Sequence, residues 1–395
     1  MEKIISFDEL NLHEDIVKNL KKIGFNTPTE IQAQAIPKAM TGVDLLCSAQ
    51  TGTGKTGAYG IPLANHLYKD SNSSALILLP TRELAQQVAN ALGDIITNLT
   101  PISLLIGGED MKKQIHKLRN KPRVIVGTPG RINDHLKRGT LRISNVSFLV
   151  LDEVDRMLDM GFTEQLVKIV EMLNSKRQTM MFSATISENI KRISGKYLTD
   201  PIRIAIGPQH KPAANITQQD VKISQEKKLP FLIEELERRV GSVIIFVNMK
   251  RTADSLTRNI KELKHNAAAI HGDLKQHQRN RVIKGFRDEK CRILVATDVA
   301  ARGLDIPHIK HVINYDISIN PEDHIHRIGR TARAGNTGEA LNLISPSDSS
   351  KWHAIQRLIN PEDNHKKLSQ GSRKTFSKPR KTLVKKRFYK AKPRG

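Results

Sequence analysis

VDLLCSAQTGTGKT, residues 43–56, is a short apolar run that breaks into a glycine-rich turn and opens onto a helical pattern. The run has the length and content of a strand buried on both faces. Gly52 and Gly54 let the backbone turn with its N–H groups pointing inward. With Lys55 and Thr56 next, the turn fits the phosphate-binding loop, except that Ala49 stands where the first glycine of that pattern belongs. The stretch Ala49, Gln50, Thr51, Gly52, Thr53, Gly54 would wrap phosphate oxygens at a helix N-terminus. Lys55 supplies a mobile positive charge to the outer phosphates, and the Thr56 hydroxyl suits Mg²⁺, a hard cation that takes oxygen ligands. A glycine turn made only to start a helix would not require Lys-Thr after it.

Outward from this stretch, similar runs recur between helical patterns. They are ALILLP (75–80), RVIVGTP (123–129), SFLVLDE (147–153) and TMMFSAT (179–185), then SVIIFVN (242–248), CRILVATD (291–298), KHVINYD (310–316) and EALNLIS (339–345). Continuous apolar strands alternating with helices predict an α/β fold of parallel sheets covered on both faces. GPQHKPAANIT (207–217) has neither periodicity and reads as a linker. The chain therefore divides into a first domain (1–206), the linker, a second domain (218–362) and a tail (363–395). Ligands of open α/β sheets bind beyond the carboxyl ends of the strands, and the unusual polar residues of this chain fall there.

Composition is that of an ordinary folded chain: 395 residues, 38% hydrophobic and 26% charged. No apolar run reaches the ~18 residues of a membrane helix. The opening MEKIISFDEL lacks the apolar centre of a secretion signal, and Cys47 and Cys291 sit in strand-like runs as buried small hydrophobes. A disulfide scaffold, a zinc ribbon and a membrane protein are excluded, and a reducing, cytoplasmic setting is expected. Net charge is +24; residues 366–395 hold 13 Lys and Arg without an acid, so the first 365 residues still carry +11. That balance favours a polyanionic partner.

Asp152-Glu153-Val154-Asp155 closes the strand run SFLVLDE. Beside a phosphate loop, Asp152 is the expected second contact of Mg²⁺, and Glu153 stands ready to polarise an attacking water. Acids after strands are common as helix caps, so the pairing with the loop is what gives this motif its meaning.

Together these motifs resemble the DEAD-box RNA helicases of superfamily 2, two tandem RecA-like domains, and the matches run in order from residue 7 to residue 335. The resemblance implies that Phe25, with Phe7 upstream, stacks on adenine and that Gln32 bonds its edge. It implies RNA contacts by Pro80, Thr81 and Arg82, by Gly107 and Gly108, by Thr128 and Arg131, and in the second domain by Gln276, Arg279 and Thr297. Asp155, Ser183, Thr185 and His326 would couple hydrolysis to strand separation, and Asp305 would meet the ATP ribose. Arg330 and Arg333 would be the arginine fingers, completing a catalytic set with Lys55, Asp152 and Glu153. Two departures stand out: Val154 replaces the alanine of D-E-A-D, and Ala332 replaces a glycine between the fingers.

The implied function is an ATP-dependent RNA helicase, using ATP and Mg²⁺ to unwind RNA locally or to remodel RNA–protein complexes as the cleft between domains shuts. A DNA-translocating helicase would share the loop and fingers but not the adenine motif and the TPGR, SAT and ARGLD set. An RNA-annealing protein without catalysis would need neither Glu153 nor the fingers. The SFDELNL opening and short basic tail resemble the bacterial RhlE-type members, and the tail reads as an RNA-holding arm.

Overall fold

Alternation explains how LLCS (Leu45–Ser48, β1) becomes a central strand. Leu45 and Cys47 point into one apolar layer, Leu46 into the other, and all are inaccessible to solvent. The computed structural model describes residues 6–49, 52–97, 99–206, 215–301, 306, 308–332 and 336–360. In the first domain β1 is joined by Ser74–Leu78 (β2), Ile102–Leu105 (β3), Val124–Gly127 (β4), Val146–Leu151 (β5), Gln178–Ser183 (β6) and Ile202–Ala205 (β7). They form one sheet in the order β3-β4-β2-β5-β6-β1-β7, all pairings parallel. The second domain repeats the plan with Ile216–Lys222 (β8), Ser242–Val247 (β9), Ala267–Ile270 (β10), Ile293–Thr297 (β11), Ile309–Asn314 (β12) and Gly338–Ile344 (β13). Its order is β10-β11-β9-β12-β13-β8, again parallel.

Each sheet separates two apolar layers: Val243, Ile245 and Val247 of β9 face one side, Ile244 and Phe246 the other. Full burial of such a side chain is worth ~1.5–3 kcal/mol, so the central strands anchor both domains. Both cysteines are buried and unpaired, and burial pushes the Cys47 thiol up to about 12. Among the described residues no helix is long and apolar enough to cross a membrane. Ile216 and Thr217, the last residues of the expected linker, already belong to β8; residues 207–214 and the tail from 361 lie outside the described residues.

Candidate active site

The loop after β1 feeds the helix Lys55–Lys69 through Gly54, whose φ of +94° is costly for any residue with a Cβ. A Cβ there would also come within 2.7 Å of the Gln32 amide nitrogen. Lys55 lies in the cradle with 7% of its surface exposed, and its ammonium has no hydrogen-bond partner among the described residues. Its nearest counter-charge is Asp152 Oδ1 at 4.0 Å. A buried, unpartnered ammonium in a ring of glycine backbone is a site for an anion.

Asp152 leaves β5 with both oxygens engaged: Oδ1 accepts from the Glu153 N–H at 2.9 Å and Oδ2 from the Tyr59 hydroxyl at 3.2 Å. Burial pushes its carboxyl up to about 6, against the pull of Lys55. Thr56 is half-buried one turn away and shares a hydrogen bond with Tyr59. Glu153 occupies the left-handed region, φ 52° and ψ 50°, an unfavourable conformation for a residue with a side chain. Burial acts to raise its carboxyl. The guanidinium of Arg156, 2.8 Å from Oε2, together with Lys55 and Arg330, outweighs that and holds it below the usual carboxylate range. Val154 between them points into the apolar layer that also contains Leu151, Met157 and Met181, so its extra methyls fill core.

Asp155 holds the SAT turn. Its Oδ2 accepts from the N–H groups of Ala184 (2.9 Å) and Thr185 (3.3 Å), while Ser183 Oγ donates to the Thr185 carbonyl at 2.6 Å. The Ala49 N–H in turn donates to Ser183 O at 3.1 Å, linking this turn to the phosphate cradle. Gln32 acts in this structure as a cap: Oε1 accepts from the Thr29 N–H at 2.9 Å and Nε2 donates to the Gly54 carbonyl at 3.0 Å. These bonds leave one hydrogen and one lone pair of the amide unused, on a side chain 2% exposed beside Gly54 and Gly57. Phe25 lies alongside, half-buried and stacked on Phe7 with ring centroids 6.3 Å apart.

The domains meet beside this site. Arg82 Nη1 donates to Gln276 Oε1 at 2.9 Å. Glu83 Oε1 accepts from Arg279 Nε at 2.8 Å and Gln276 Nε2 at 3.2 Å. Arg82, Gln276 and Arg279 therefore face one another across the cleft. Gly108, with φ +80°, passes so close that an added Cβ would lie 2.5 Å from the Arg82 guanidinium. Arg131 Nε donates to Ile106 O at 2.9 Å and a second nitrogen to Glu109 O, fixing the Gly107-Gly108 loop. Thr81 and Thr128 begin the helices Arg82–Ile95 and Pro129–Lys137, next to buried Pro80, and Thr297 ends β11 nearly buried.

On the second domain, Arg330 is 3% exposed, donates to His326 O at 3.2 Å, and its charge reaches Glu153. Ala332 sits at φ +57°, a left-handed position that glycine takes freely, so alanine carries strain there, ~1–2 kcal/mol. Gln50, Thr51, Asp305 and Arg333 lie outside the described residues. Sequence reading missed Tyr59, Arg156 and Glu83, the partners that orient Asp152, Glu153 and Arg279. The i,i+3 spacing of Glu153 and Arg156 was the available signal. Arg327 was missed too: fully buried, it pairs twice with Asp298 (2.6 and 2.7 Å) and binds Asn248 at 2.9 Å.

A DEAD/DEAH box helicase model matches residues 29–193, and a helicase conserved C-terminal domain model matches residues 227–335. The chain is 41% identical over 355 residues to the DEAD-box ATP-dependent RNA helicase CshA of Geobacillus kaustophilus, covering 89% of this chain and 76% of that one. Among solved structures, S. cerevisiae Dbp5 bound to RNA and ADP BeF3 is similar with a TM-score of 0.81 at 29% identity, over 92% of this chain and 99% of that one. Mss116p bound to ssRNA and AMP-PNP is similar with a TM-score of 0.83 at 27% identity, over 90% and 77%.

Proposed function

The chain belongs to the DEAD-box family of ATP-dependent RNA helicases, and from that premise we propose how its own residues carry the reaction. The observation that carries the proposal is the unpartnered Lys55 ammonium, buried between Asp152 and the glycine cradle. A triphosphate supplies the anion this site lacks, with adenine against Phe25 and the free half of the Gln32 amide. Guanine would leave that amide mismatched. Mg²⁺ fits as well: the Asp152 carboxylate and the Thr56 hydroxyl would hold it with phosphate oxygens, and it would neutralise charge developing on the transferred group.

Glu153 is kept ionised in a buried place by three cations, the state needed to accept a hydrogen bond from the attacking water. Arg330 reaches it from the other domain, so the site is complete only with the cleft shut; Arg333 is proposed as the second finger. Asp155 passes the state of the Asp152–Glu153 strand end to the SAT turn. RNA is proposed to lie across Thr81, Arg82, Gly107, Gly108, Thr128 and Arg131 on one domain and Thr297 on the other. Gln276 and Arg279 act at the edge of that track, and His326 and Ser183 at its hinge with the nucleotide site. Because both ligands bridge the domains, ATP and RNA favour the same closed state reciprocally. The bacterial CshA helicases among the relatives support a CshA-like subtype over the RhlE type. The basic tail is proposed to hold RNA nearby.

ATP turnover measured with RNA, with DNA and with neither tests this reading. Stimulation by RNA alone is expected, and equal stimulation by DNA would overturn the assignment. The pH profile gives a second check. With the Asp152 carboxyl at about 6, kcat/KM for ATP, which reports the free enzyme, should fall as pH drops through 6 and the carboxylate is protonated. The Tyr59 hydroxyl stabilises the ionised form, so Tyr59→Phe should move that limb upward by about one unit. An unmoved limb would free Asp152 from this role.

A further inference from the structure

The second domain carries a groove that neither the ATP site nor the RNA track uses. It encloses about 1070 Å³ between the end of edge strand β8 and the helix Ser349–Ile359. Trp352 forms part of its wall, with Lys222, Arg357, His353 and the hydroxyls of Ser349 and Ser350 around it. The inner side of the indole is dry: it packs on Ile317, Ile344 and Ile355 and stands edge-on to His324, ring centroids 5.4 Å apart. His324 is fully buried, and neither of its ring nitrogens has a hydrogen-bond partner among the described residues.

Among the described residues, no carboxylate lines the groove. Asp348 is held by Lys228 and Lys351, each at 3.2 Å, and Glu226 is bonded by Ser224 and its own backbone. Lys222 and Arg357 are left without a carboxylate among the described residues. We propose that this groove binds single-stranded RNA, with an unpaired base on the Trp352 ring and phosphates at Lys222 and Arg357. An aromatic platform flanked by uncompensated cations and hydroxyls matches the combination by which proteins hold unpaired strands. A basic peptide would be repelled by the same wall, and a duplex keeps its bases stacked away from the indole. Asn360 lies at the groove's lip. The groove thus gives the helicase a hold on RNA outside its catalytic cleft, and this rests on the RNA-binding reading above.

Trp352 is the chain's single tryptophan, so its emission reads this groove and not the cleft. Full-length protein is titrated with a short oligoadenylate without ATP. Emission should be quenched along a saturable curve, and Lys222→Glu with Arg357→Glu should raise the half-saturating RNA concentration about tenfold or more. ATP turnover at saturating RNA should stay within about twofold. Trp352→Phe should keep the RNA affinity, followed by anisotropy of labelled RNA, and Trp352→Ala should lower it. Unchanged emission at RNA concentrations that saturate ATP turnover would overturn the groove and leave the helicase reading standing. Equal quenching by AMP would overturn it in favour of a mononucleotide site. Quenching without any RNA-stimulated turnover would support the groove while the reading of the cleft failed.

Discussion

Glu153→Gln is expected to slow RNA-stimulated ATP turnover by about 10²–10⁴-fold, the span a positioned acid–base group contributes, while ATP and RNA still bind together. Glutamine keeps the shape of the side chain and one acceptor oxygen, so the left-handed turn at φ 52° and the neighbouring helix Val154–Asp159 have no reason to rearrange. What is lost is the negative charge that Arg156, Lys55 and Arg330 maintain against burial. ATP should therefore enter, the cleft should shut, and the complex should persist because the water is no longer activated. Single-turnover hydrolysis and RNA dissociation in the presence of ATP read the two halves separately. Lys55→Ala differs in kind, because it removes the ammonium that the phosphates satisfy, so ATP affinity itself falls and no trapped RNA complex forms. Normal turnover by Glu153→Gln would show that another group orients the water.

Legibility in the sequence follows burial. Each continuous apolar run proposed as a strand is one, and those nine strands, β13 beside the β8 edge among them, occupy the interiors of both sheets. The four strands without a signal, β3, β7, β8 and β10, are the four edges. An edge strand is covered on fewer sides, so it needs fewer apolar residues: β8 is Ile-Thr-Gln-Gln-Asp-Val-Lys, with four central residues exposed. β10, Ala-Ala-Ala-Ile, is too short and too small-chained to stand apart from a helix by pattern. Site residues divide in a similar way. Lys55 and the pair Asp152-Glu153 were legible as candidates because each lies in a contiguous motif at the carboxyl end of a legible strand, β1 or β5. Glu83 and Arg279 were not legible as a pair, since 196 positions separate them and only the docking of two domains joins them. Gln32 was read through its implied adenine contact, yet its cap on Thr29 is a local bond that sequence alone also allowed.

That same distant pair is expected to govern communication between the ligands. Glu83 and Arg279 are each 9% exposed, and removing one partner of a buried ion pair leaves the other uncompensated at a cost of ~3–5 kcal/mol. Here the domains can part, so the unpaired carboxylate regains water by opening the cleft. The penalty then falls on closure and leaves the stability of each domain unchanged. Coupling between two ligands is typically ~1–3 kcal/mol, or about 5–150-fold in affinity, so a loss of this size removes it. Arg279→Ala should make RNA affinity nearly the same with and without AMP-PNP, with thermal unfolding unchanged. Glu83→Arg combined with Arg279→Glu should restore part of the difference, because the pair is rebuilt in reverse across the same 2.8 Å contact. A direct RNA contact by Arg279 makes the opposite forecast. Affinity would then drop by one factor in both nucleotide states, coupling would survive, and the reversed pair would rescue nothing. RNA binding curves for the three proteins, with and without the nucleotide, decide between a latch that shuts the cleft and a hand laid on the RNA.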